Sequence, residues 1–359
     1  MLSTDRRIFE EGSAVRTRMI EYGEIVDRLT ILVFGTRKPF QENLSPKVSV
    51  VGVPGKNPFG VWKAIKKEAH RAPYTLITAM DPFEIGFLGL RAGRQLGIPV
   101  ELQVHTDIFS RHFANESYRR VFQQWLSRIT LPKASCIRVA SERIAADLAR
   151  NSVNRLITIL PISVDSTAIA NHEISTDLHA RHPEFSKIVL SLSRLSPEKN
   201  ITGIIRAFKS VSLNIPNAGL VIVGDGPEQP VLRKLVLELG LGASVVFESW
   251  TRDPYSYMKT ADVFVSNSLY EGYGMSVVEA AIVGKPIVTT PVGVVGYELD
   301  SESVEVVDFG DDRALAAGLI RALSPSRKQP RFAKQLFSKE QYLGGLKSAW
   351  QTCSISITK

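Results

Sequence analysis

The stretch "DVFVSNSLYEGYGMSVVEAAIVGKPIVTT", Asp262 to Thr290, decides how the second half of the chain folds. "DVFVSN" (262–267) is an apolar run with few polar interruptions, the pattern of a strand buried on both faces. "SLYEGYG" is then the loop at its carboxyl end, "MSVVEAAIVG" opens a helix, and "KPIVTT" (285–290) is the next buried strand. Apolar strands that alternate with helices build parallel sheets. Glu271 falls in the turn, where Gly272 and Gly274 let bare backbone approach a ligand. Glu279 falls about a turn and a half into the helix, and its side chain can lean back toward the helix N-terminus. Two carboxylates and a helix start rich in amide donors suit the three parts of a sugar nucleotide: a sugar, a diphosphate and a ribose diol. Val277 and Val278 make the helix start apolar, so a carboxylate among them needs a partner.

The same rhythm extends outward in both directions. Strands are expected at 187–193, 218–224, 244–249, 262–267, 285–290 and 303–308 in the second half, and at 29–34, 48–53, 74–80, 98–104, 136–141 and 156–160 in the first. "MLSTD" reads as the end of a first strand, followed by a glycine turn at Gly12 and a helix from about Ser13 to Val26. That strand is short, as in a clipped or misassigned N-terminus. The polar segment between "PISVD" and "PEFSK" lacks sustained periodicity and reads as an interdomain linker. The expected organisation is therefore α/β: one domain over 1–170, a second over 171–336, and a terminal helix and tail over 337–359. Phe337, Tyr342, Leu346 and Trp350 recur at roughly helical spacing, which predicts packing of that helix back on the first domain.

Composition narrows the class. The 359 residues are 44% hydrophobic and 22% charged, as in an ordinary globular chain. The two cysteines, Cys136 in an apolar run and Cys353 in the tail, read as neither a disulfide framework nor a thiolate metal site, which fits a reducing compartment. No signal peptide and no membrane-spanning run is evident, so the expected place is the cytoplasm. The net charge of +8 lies wholly in residues 1–165, which carry 24 basic against 16 acidic side chains. A basic face there could meet anionic lipid or nucleic acid, or simply be solvated.

Other motifs are weighed in the same way. "VIVGDGPEQ" has Gly224 and Gly226 but Gln229 where a dinucleotide fingerprint needs its third glycine, so a tight strand-to-helix turn competes with ligand binding. "GVPGKNPFG" lacks the phosphate-loop spacing, which removes an NTPase reading. There is no H-E-x-x-H and the six histidines are scattered, so no metal is expected. His105 differs from the others because it follows "VELQV" at the carboxyl end of a strand, where open parallel sheets bind ligands; a loop-capping role competes. Arg194 and Lys199, in "SRLSPEKN", stand at the carboxyl edge of the second sheet with a helix expected to start at about Glu198–Lys199, a place that suits a diphosphate; two merely exposed basic residues are the competing reading.

Together, "EGYGMSVVE", "SRLSPEKN", "VIVGDGP", "ADVFVSNS" and "GKPIVTTPVG" resemble segments of the retaining glycosyltransferases of family 4, with Tyr273 where the family usually has Phe. The resemblance implies the GT-B fold of two facing Rossmann-like domains. It implies that Glu279 binds the ribose hydroxyls and Glu271 contacts the donor sugar. Arg194 and Lys199, aided by the amides of Gly274, Met275 and Ser276, would neutralise the departing diphosphate. His105 in "QVHTD" would line the sugar and acceptor site, and Gly12 and Ser13 take the place of the glycine loop that faces the donor. Transfer would retain the anomeric configuration through an oxocarbenium-like ion pair without a metal or a resident cofactor, the co-substrate being a UDP-sugar or GDP-sugar and the leaving phosphate the candidate base. Asn267-Ser268 replaces the family's Pro-Ser, and Ser13 replaces a glycine. A GT-B sugar-nucleotide epimerase, a catalytically silent scaffold and a nucleic-acid binder are the competing readings, the last without any recognised motif.

The acceptor is expected to be a saccharide or a lipid-linked molecule used in cell-surface polysaccharide or glycolipid synthesis. "HFANESYRRVFQQWLSRIT" sets Phe113, Tyr118, Val121, Phe122, Trp125 and Leu126 among Arg111, Arg119, Arg120 and Arg128. "VWKAIKKEAHR" sets Trp62 and Ile65 among Lys63, Lys66, Lys67 and Arg71. Such helices either pack their apolar sides into the core or lie on anionic lipid, which would place the protein at the inner face of the cytoplasmic membrane.

Overall fold

The computed structural model describes residues 1–55 and 58–355, and the chain divides into two compact units. Lys56 and Asn57 of the rejected phosphate-loop stretch, and the tail beyond Ile355, lie outside the described residues. The first unit comprises Met1–Phe109, Ser117–Ser163 and Phe337–Lys359; the second comprises Ser110–Glu116 and Val164–Leu336. The second unit thus begins before residue 171, because the stretch read as a linker contains two short helices, Ser166–Ala170 and Leu178–Arg181. The Asp165 and Asp177 side chains accept hydrogen bonds from their first-turn amides.

The first unit is built on an eight-stranded sheet. Its strands in chain order are β1 (Leu2–Ser3), β2 (Leu29–Thr36), β3 (Phe40–Ser45), β4 (Val48–Pro54), β5 (Ile77–Ala79), β6 (Val100–Val104), β7 (Cys136–Val139) and β8 (Leu156–Ile159). In space they run β3-β4-β2-β1-β5-β6-β7-β8. All pairings are parallel except β3 with β4. Strand β3 is unexpected from sequence; its residues are exposed or half-buried, so they carry none of the apolar signal by which the others are recognised.

The second unit has a six-stranded parallel sheet of β9 (Lys187–Leu192), β10 (Ala218–Val223), β11 (Val245–Glu248), β12 (Val263–Ser266), β13 (Ile287–Thr289) and β14 (Glu305–Val306). The order β11-β10-β9-β12-β13-β14 reverses direction between β9 and β12, the place where doubly wound sheets bind ligands at their carboxyl ends. Strands β9 and β10 are buried almost throughout, which accounts for their unbroken apolar runs.

The terminal helix, Lys339–Ile355, packs on the first unit. Leu346 and Trp350 enter the same core as Ile8, Met19, Ile31 and Val50, and the Tyr342 hydroxyl meets that of Tyr22 at 2.7 Å. One expectation is corrected here. Cys353 of this helix and Cys136 of β7 form a disulfide, with Cα atoms 5.8 Å apart, although the two cysteines read as unpaired in sequence. Their separation of 217 residues hides a proximity that only the packing of the helix creates.

Candidate functional site

In the second unit, β9 and β12 lie side by side, so the loops leaving their carboxyl ends meet. The β9 loop carries Arg194 and turns through a short 3-10 helix, Pro197–Lys199. Asn200, in the left-handed region with φ 47°, then starts the helix Ile201–Asn214. Lys199 therefore ends a 3-10 turn and precedes the α-helix, which sequence places at about Glu198–Lys199. The loops are tied by backbone, since Leu269 N donates to Glu198 O at 2.8 Å. Thr290 Oγ1 also donates to Ser268 O at 2.6 Å.

The glycines at 224 and 226 have a structural duty. A Cβ on Gly224 would lie 2.0 Å from Ser193 O, and one on Gly226 would lie 2.1 Å from Leu195 O. Only bare backbone lets the end of β10 press so closely on the loop that holds Arg194. The following helix runs Gln229–Glu238.

Neither cation is free. Arg194 donates to Glu198 Oε1 at 2.7 Å and to Ser196 Oγ at 3.2 Å, yet its side chain is 69% exposed. Lys199 Nζ contacts Glu271 Oε1 at 2.5 Å, and Ser268 Oγ donates to the same oxygen at 2.9 Å. Both partners of the Lys199–Glu271 pair are largely buried, at 20% and 15% exposure, so the pair is far better shielded from solvent than a surface ion pair. Burial raises the pKa of Glu198, but its bonds to Ser196 and Arg194 outweigh that and hold it below the usual value.

Beyond Glu271 the chain passes through Gly274, at φ 87°, into the helix Met275–Ile282. The first intrahelical bonds are made by Val277 and Val278, both to Gly274 O, so the amides of Met275 and Ser276 precede the ladder. Glu279 sits half-buried in this helix, and burial raises its pKa to about 7, while a hydrogen bond from Tyr255 offsets part of the rise. Tyr273 is 3% exposed, and its hydroxyl has no partner among the described residues; burial and the nearby Glu298 drive its pKa up.

The remaining expected residues belong to the first unit. Gly12, at φ 74°, and Ser13 follow β1. Ser13 Oγ accepts from Arg16 N as an N-cap and donates to Arg7 O at 2.6 Å. The helix it caps runs Ala14–Glu24. His105 follows β6; it is exposed, and its Nε2 lies 2.9 Å from Gln103 Oε1. Desolvation of the ring, then the guanidiniums of Arg138 and Arg18, push its pKa down, which keeps the imidazole neutral at pH 7; the exposed edge limits the drop. Each group is thus placed at the carboxyl edge of its own sheet.

Three participants escaped the sequence reading. Asp81, after β5, has its pKa raised to about 6, chiefly by burial, at the carboxyl end of a strand beside the first unit's own reversal point. Tyr255 faces Glu279. Glu116 accepts a hydrogen bond from the Tyr270 hydroxyl, next to Glu271. Only "DPFE" offered a local signal, an aspartate just after an apolar run.

The basic amphipathic stretch splits in two. The helix Arg111–Asn115 belongs to the second unit, where Phe113 is fully buried against Tyr270. The helix Tyr118–Thr130 belongs to the first and buries Gln123, Leu126, Ser127 and Thr130. Phe113 and Leu126 are therefore core residues, whereas Tyr118, Val121, Phe122 and Trp125 are 97%, 51%, 47% and 52% exposed and form one stripe. In the helix Pro58–Ala69, Ile65 is buried and Trp62 is covered by Lys66 and by Arg91, which leaves Phe59, 73% exposed, as its single large exposed apolar side chain among the described residues. Among the described residues, no helix is long and apolar enough to cross a membrane, and no group of three or more His, Cys, Asp or Glu side chains could hold a metal ion.

Comparison with known proteins bears on the family and the fold. A family model described as glycosyl transferases group 1 matches residues 177–337, and one described as glycosyltransferase family 4 matches residues 27–167. The lipopolysaccharide core biosynthesis glycosyltransferase LpsD of Rhizobium meliloti is 36% identical over 143 residues, 39% of this chain and 40% of that protein. The alpha-monoglucosyldiacylglycerol synthase of Streptococcus pneumoniae is 25% identical over 275 residues, 73% of this chain and 62% of that protein. The chain thus spans less than two thirds of the length of these relatives. The crystal structure of Anabaena HepE in complex with UDP superposes with a TM-score of 0.69 at 20% identity, covering 100% of this chain and 94% of that one, a likeness of fold.

Proposed function

Since the chain belongs to the glycosyltransferases of family 4 and has their GT-B fold, we propose that it moves a sugar from a nucleotide-diphosphate sugar to an acceptor hydroxyl with retention of configuration. The observation that carries this reading is the meeting of Arg194, Lys199 and Glu271 where the second sheet reverses direction, beside a helix whose first amides are unspent. In the proposal, the diphosphate lies between Arg194, Lys199 and the amides of Gly274, Met275 and Ser276, with Gly272 and Tyr273 lining the same turn. Glu279 takes the ribose hydroxyls and Glu271 the sugar.

The ion pairs give this arrangement a chemical logic. Lys199 is held at Glu271, so its ammonium is fixed beside the turn that the diphosphate is proposed to meet. As the bond from anomeric carbon to phosphate oxygen breaks, negative charge grows on the diphosphate, and fixed cations and amides stabilise that change at little reorganisation cost. Positive charge grows on the sugar, near the Glu271 carboxylate. The leaving phosphate takes the acceptor proton, and neutral His105, at the carboxyl edge of the first unit's sheet, is a hydrogen-bonding group for the acceptor. No metal and no resident cofactor are assigned a role. HepE was crystallised with UDP and with UDP-glucose, which favours UDP-sugars as the first donors to try, with GDP-sugars next.

For the acceptor, we propose a glycolipid or surface polysaccharide, with peripheral contact to anionic lipid. The stripe Tyr118, Val121, Phe122 and Trp125 is apolar, exposed and interleaved with Arg119, Arg120 and Arg128, and burying it against a bilayer would recover free energy that the fold leaves unused.

Donor binding tests the reading. Thermal shift against UDP, GDP, ADP and their sugars, with and without Mg²⁺, should give a rise for one nucleotide family. That rise should be independent of Mg²⁺ and lost in Glu279→Ala. No rise with any of them would overturn the assignment.

A further inference from the structure

Behind His105 runs a set of buried polar side chains whose donors and acceptors can be followed from one end to the other. Glu101, Gln103 and His105 alternate along β6 and its exit, so they fall on one side of the sheet. Thr78 of β5 is the registered neighbour of Glu101. At the far end, Trp350 gives its indole N–H to Glu101 Oε2 at 3.1 Å, and the Arg138 guanidinium stands 3.4 Å from Oε1. The indole can only donate, so Oε2 accepts; Arg138 Nε makes no hydrogen bond to Oε1 and holds the carboxylate by charge alone.

The rest follows by proton accounting. Thr78 Oγ1, 2.5 Å from Glu101 Oε2, must spend its proton on that carboxylate, which leaves its lone pair to accept from Gln103 Nε2 at 2.7 Å. Gln103 Nε2 also points at Glu101 Oε2, at 3.4 Å. The amide nitrogen is thereby committed to the interior, and the amide oxygen faces His105 Nε2 at 2.9 Å. A carbonyl oxygen only accepts, so the imidazole proton must be on Nε2. Turning the amide over would set its oxygen against a carboxylate and a hydroxyl whose proton is already engaged. Glu101 and Gln103 are each 1% exposed and Thr78 4%, so water is poorly placed to relieve that conflict.

We propose that Gln103 is a positioning residue: it holds His105 as the Nε2–H tautomer and so presents Nδ1, which has no partner among the described residues, as a hydrogen-bond acceptor for a substrate hydroxyl. The proposal rests on the reading of His105 as a residue of the sugar and acceptor site. It assigns the terminal helix a part in the site as well, because Trp350 donates a hydrogen bond to Glu101.

The tautomer is directly measurable. Full-length protein carrying ¹⁵N-labelled histidine, with the His105 signals assigned by loss in His105→Ala, should show pyrrole-type Nε2 and pyridine-type Nδ1 shifts at pH 7.5. Gln103→Leu removes the carbonyl acceptor, and Thr78→Val, close to isosteric, releases the amide to turn. In both, the two nitrogens should move toward averaged shifts. With UDP-glucose as donor, turnover should fall about 10- to 100-fold at little change in KM, as when the group that orients a working histidine is lost. Melting temperature measured alongside identifies any variant that fails to fold, and Thr78→Val then carries the test. An Nδ1–H tautomer in the wild type, or unchanged tautomer in both folded variants, would overturn the proposal. If the shifts move as expected but His105→Ala retains full transfer, the relay stands and the role of His105 in transfer falls.

Discussion

Glu279→Gln separates two things that Glu279 does: it burdens the folded protein when ionised, and in the proposed function it grips the ribose. Its pKa is raised from 4.5 to about 7, with burial as the leading cause. Between those values the folded state holds a proton that the unfolded state has lost, so stability falls as pH rises through the window and the whole penalty is felt above about pH 7. At 1.36 kcal/mol per pKa unit the ceiling is about 3 kcal/mol, and partial solvation of the carboxylate brings this to roughly 1–3 kcal/mol. Glutamine stays neutral and escapes the penalty. Wild type and Glu279→Gln should melt together near pH 4.5 and separate with rising pH, the variant gaining about 3–10 °C by pH 8. A difference in melting temperature that stays flat from pH 4.5 to pH 8 would refute the reasoning. Ligand affinity should run the other way. UDP-glucose has no phosphate proton to lose in this range, so its affinity for the wild type should climb toward pH 7 as Glu279 ionises. The variant should bind it about 10- to 100-fold more weakly above pH 7, which is the worth of a hydrogen bond to a charged acceptor.

Other expectations follow from the same geometry. Lys199→Ala should lower turnover with UDP-glucose by about 100-fold or more, the scale of a lost transition-state donor, and Lys199→Arg should restore part of it; near-normal kcat in the alanine variant would remove Lys199 from the site. Alkylation of freshly denatured, unreduced protein should find no free thiol, and two after reduction; Cys353→Ser should cost about 2–4 kcal/mol of stability, whereas two reactive thiols at the outset would disprove the pairing. Phe122→Ser with Trp125→Ser should abolish flotation with phosphatidylglycerol vesicles at moderate salt. Failure of the wild type to float even at low salt would end the membrane reading.

What could be read from sequence, and what could not, divides by the range of the interaction. Strands buried on both faces announce themselves locally, and "VIVG", "DVFV" and "PIVT" all proved to be strands. Strand β3 escaped because its side chains stay largely exposed, so a register set by backbone pairing with β4 leaves no apolar trace. The break at Glu116–Ser117 was hidden inside a continuous amphipathic pattern: Phe113 and Leu126 have the same character as Trp125, and which of them meets a core is decided by the unit each helix joins. Within the site, Arg194 and Glu198 pair across four residues of a single loop, a local contact. The Lys199–Glu271 pair is not local, since it spans 72 residues and exists because β12 returns beside β9 after two strands have been laid on the other side. The disulfide obeys the same rule at 217 residues.

That distinction explains why the motifs carried more functional information than any single residue within them. "SRLSPEKN" and "EGYGMSVVE" are each weak alone, since a cation near a strand end or a glutamate near a glycine is commonplace. Their sum gains force only through a topology that brings the two strand ends together, and the alternation of apolar runs in the sequence implies that topology without specifying which strands adjoin. The reversal between β9 and β12 supplies the missing term. It converts two separate local patterns into one cluster of opposed charges beside a helix start. Moving either loop to another strand would leave the composition of the chain unchanged and would dissolve the site.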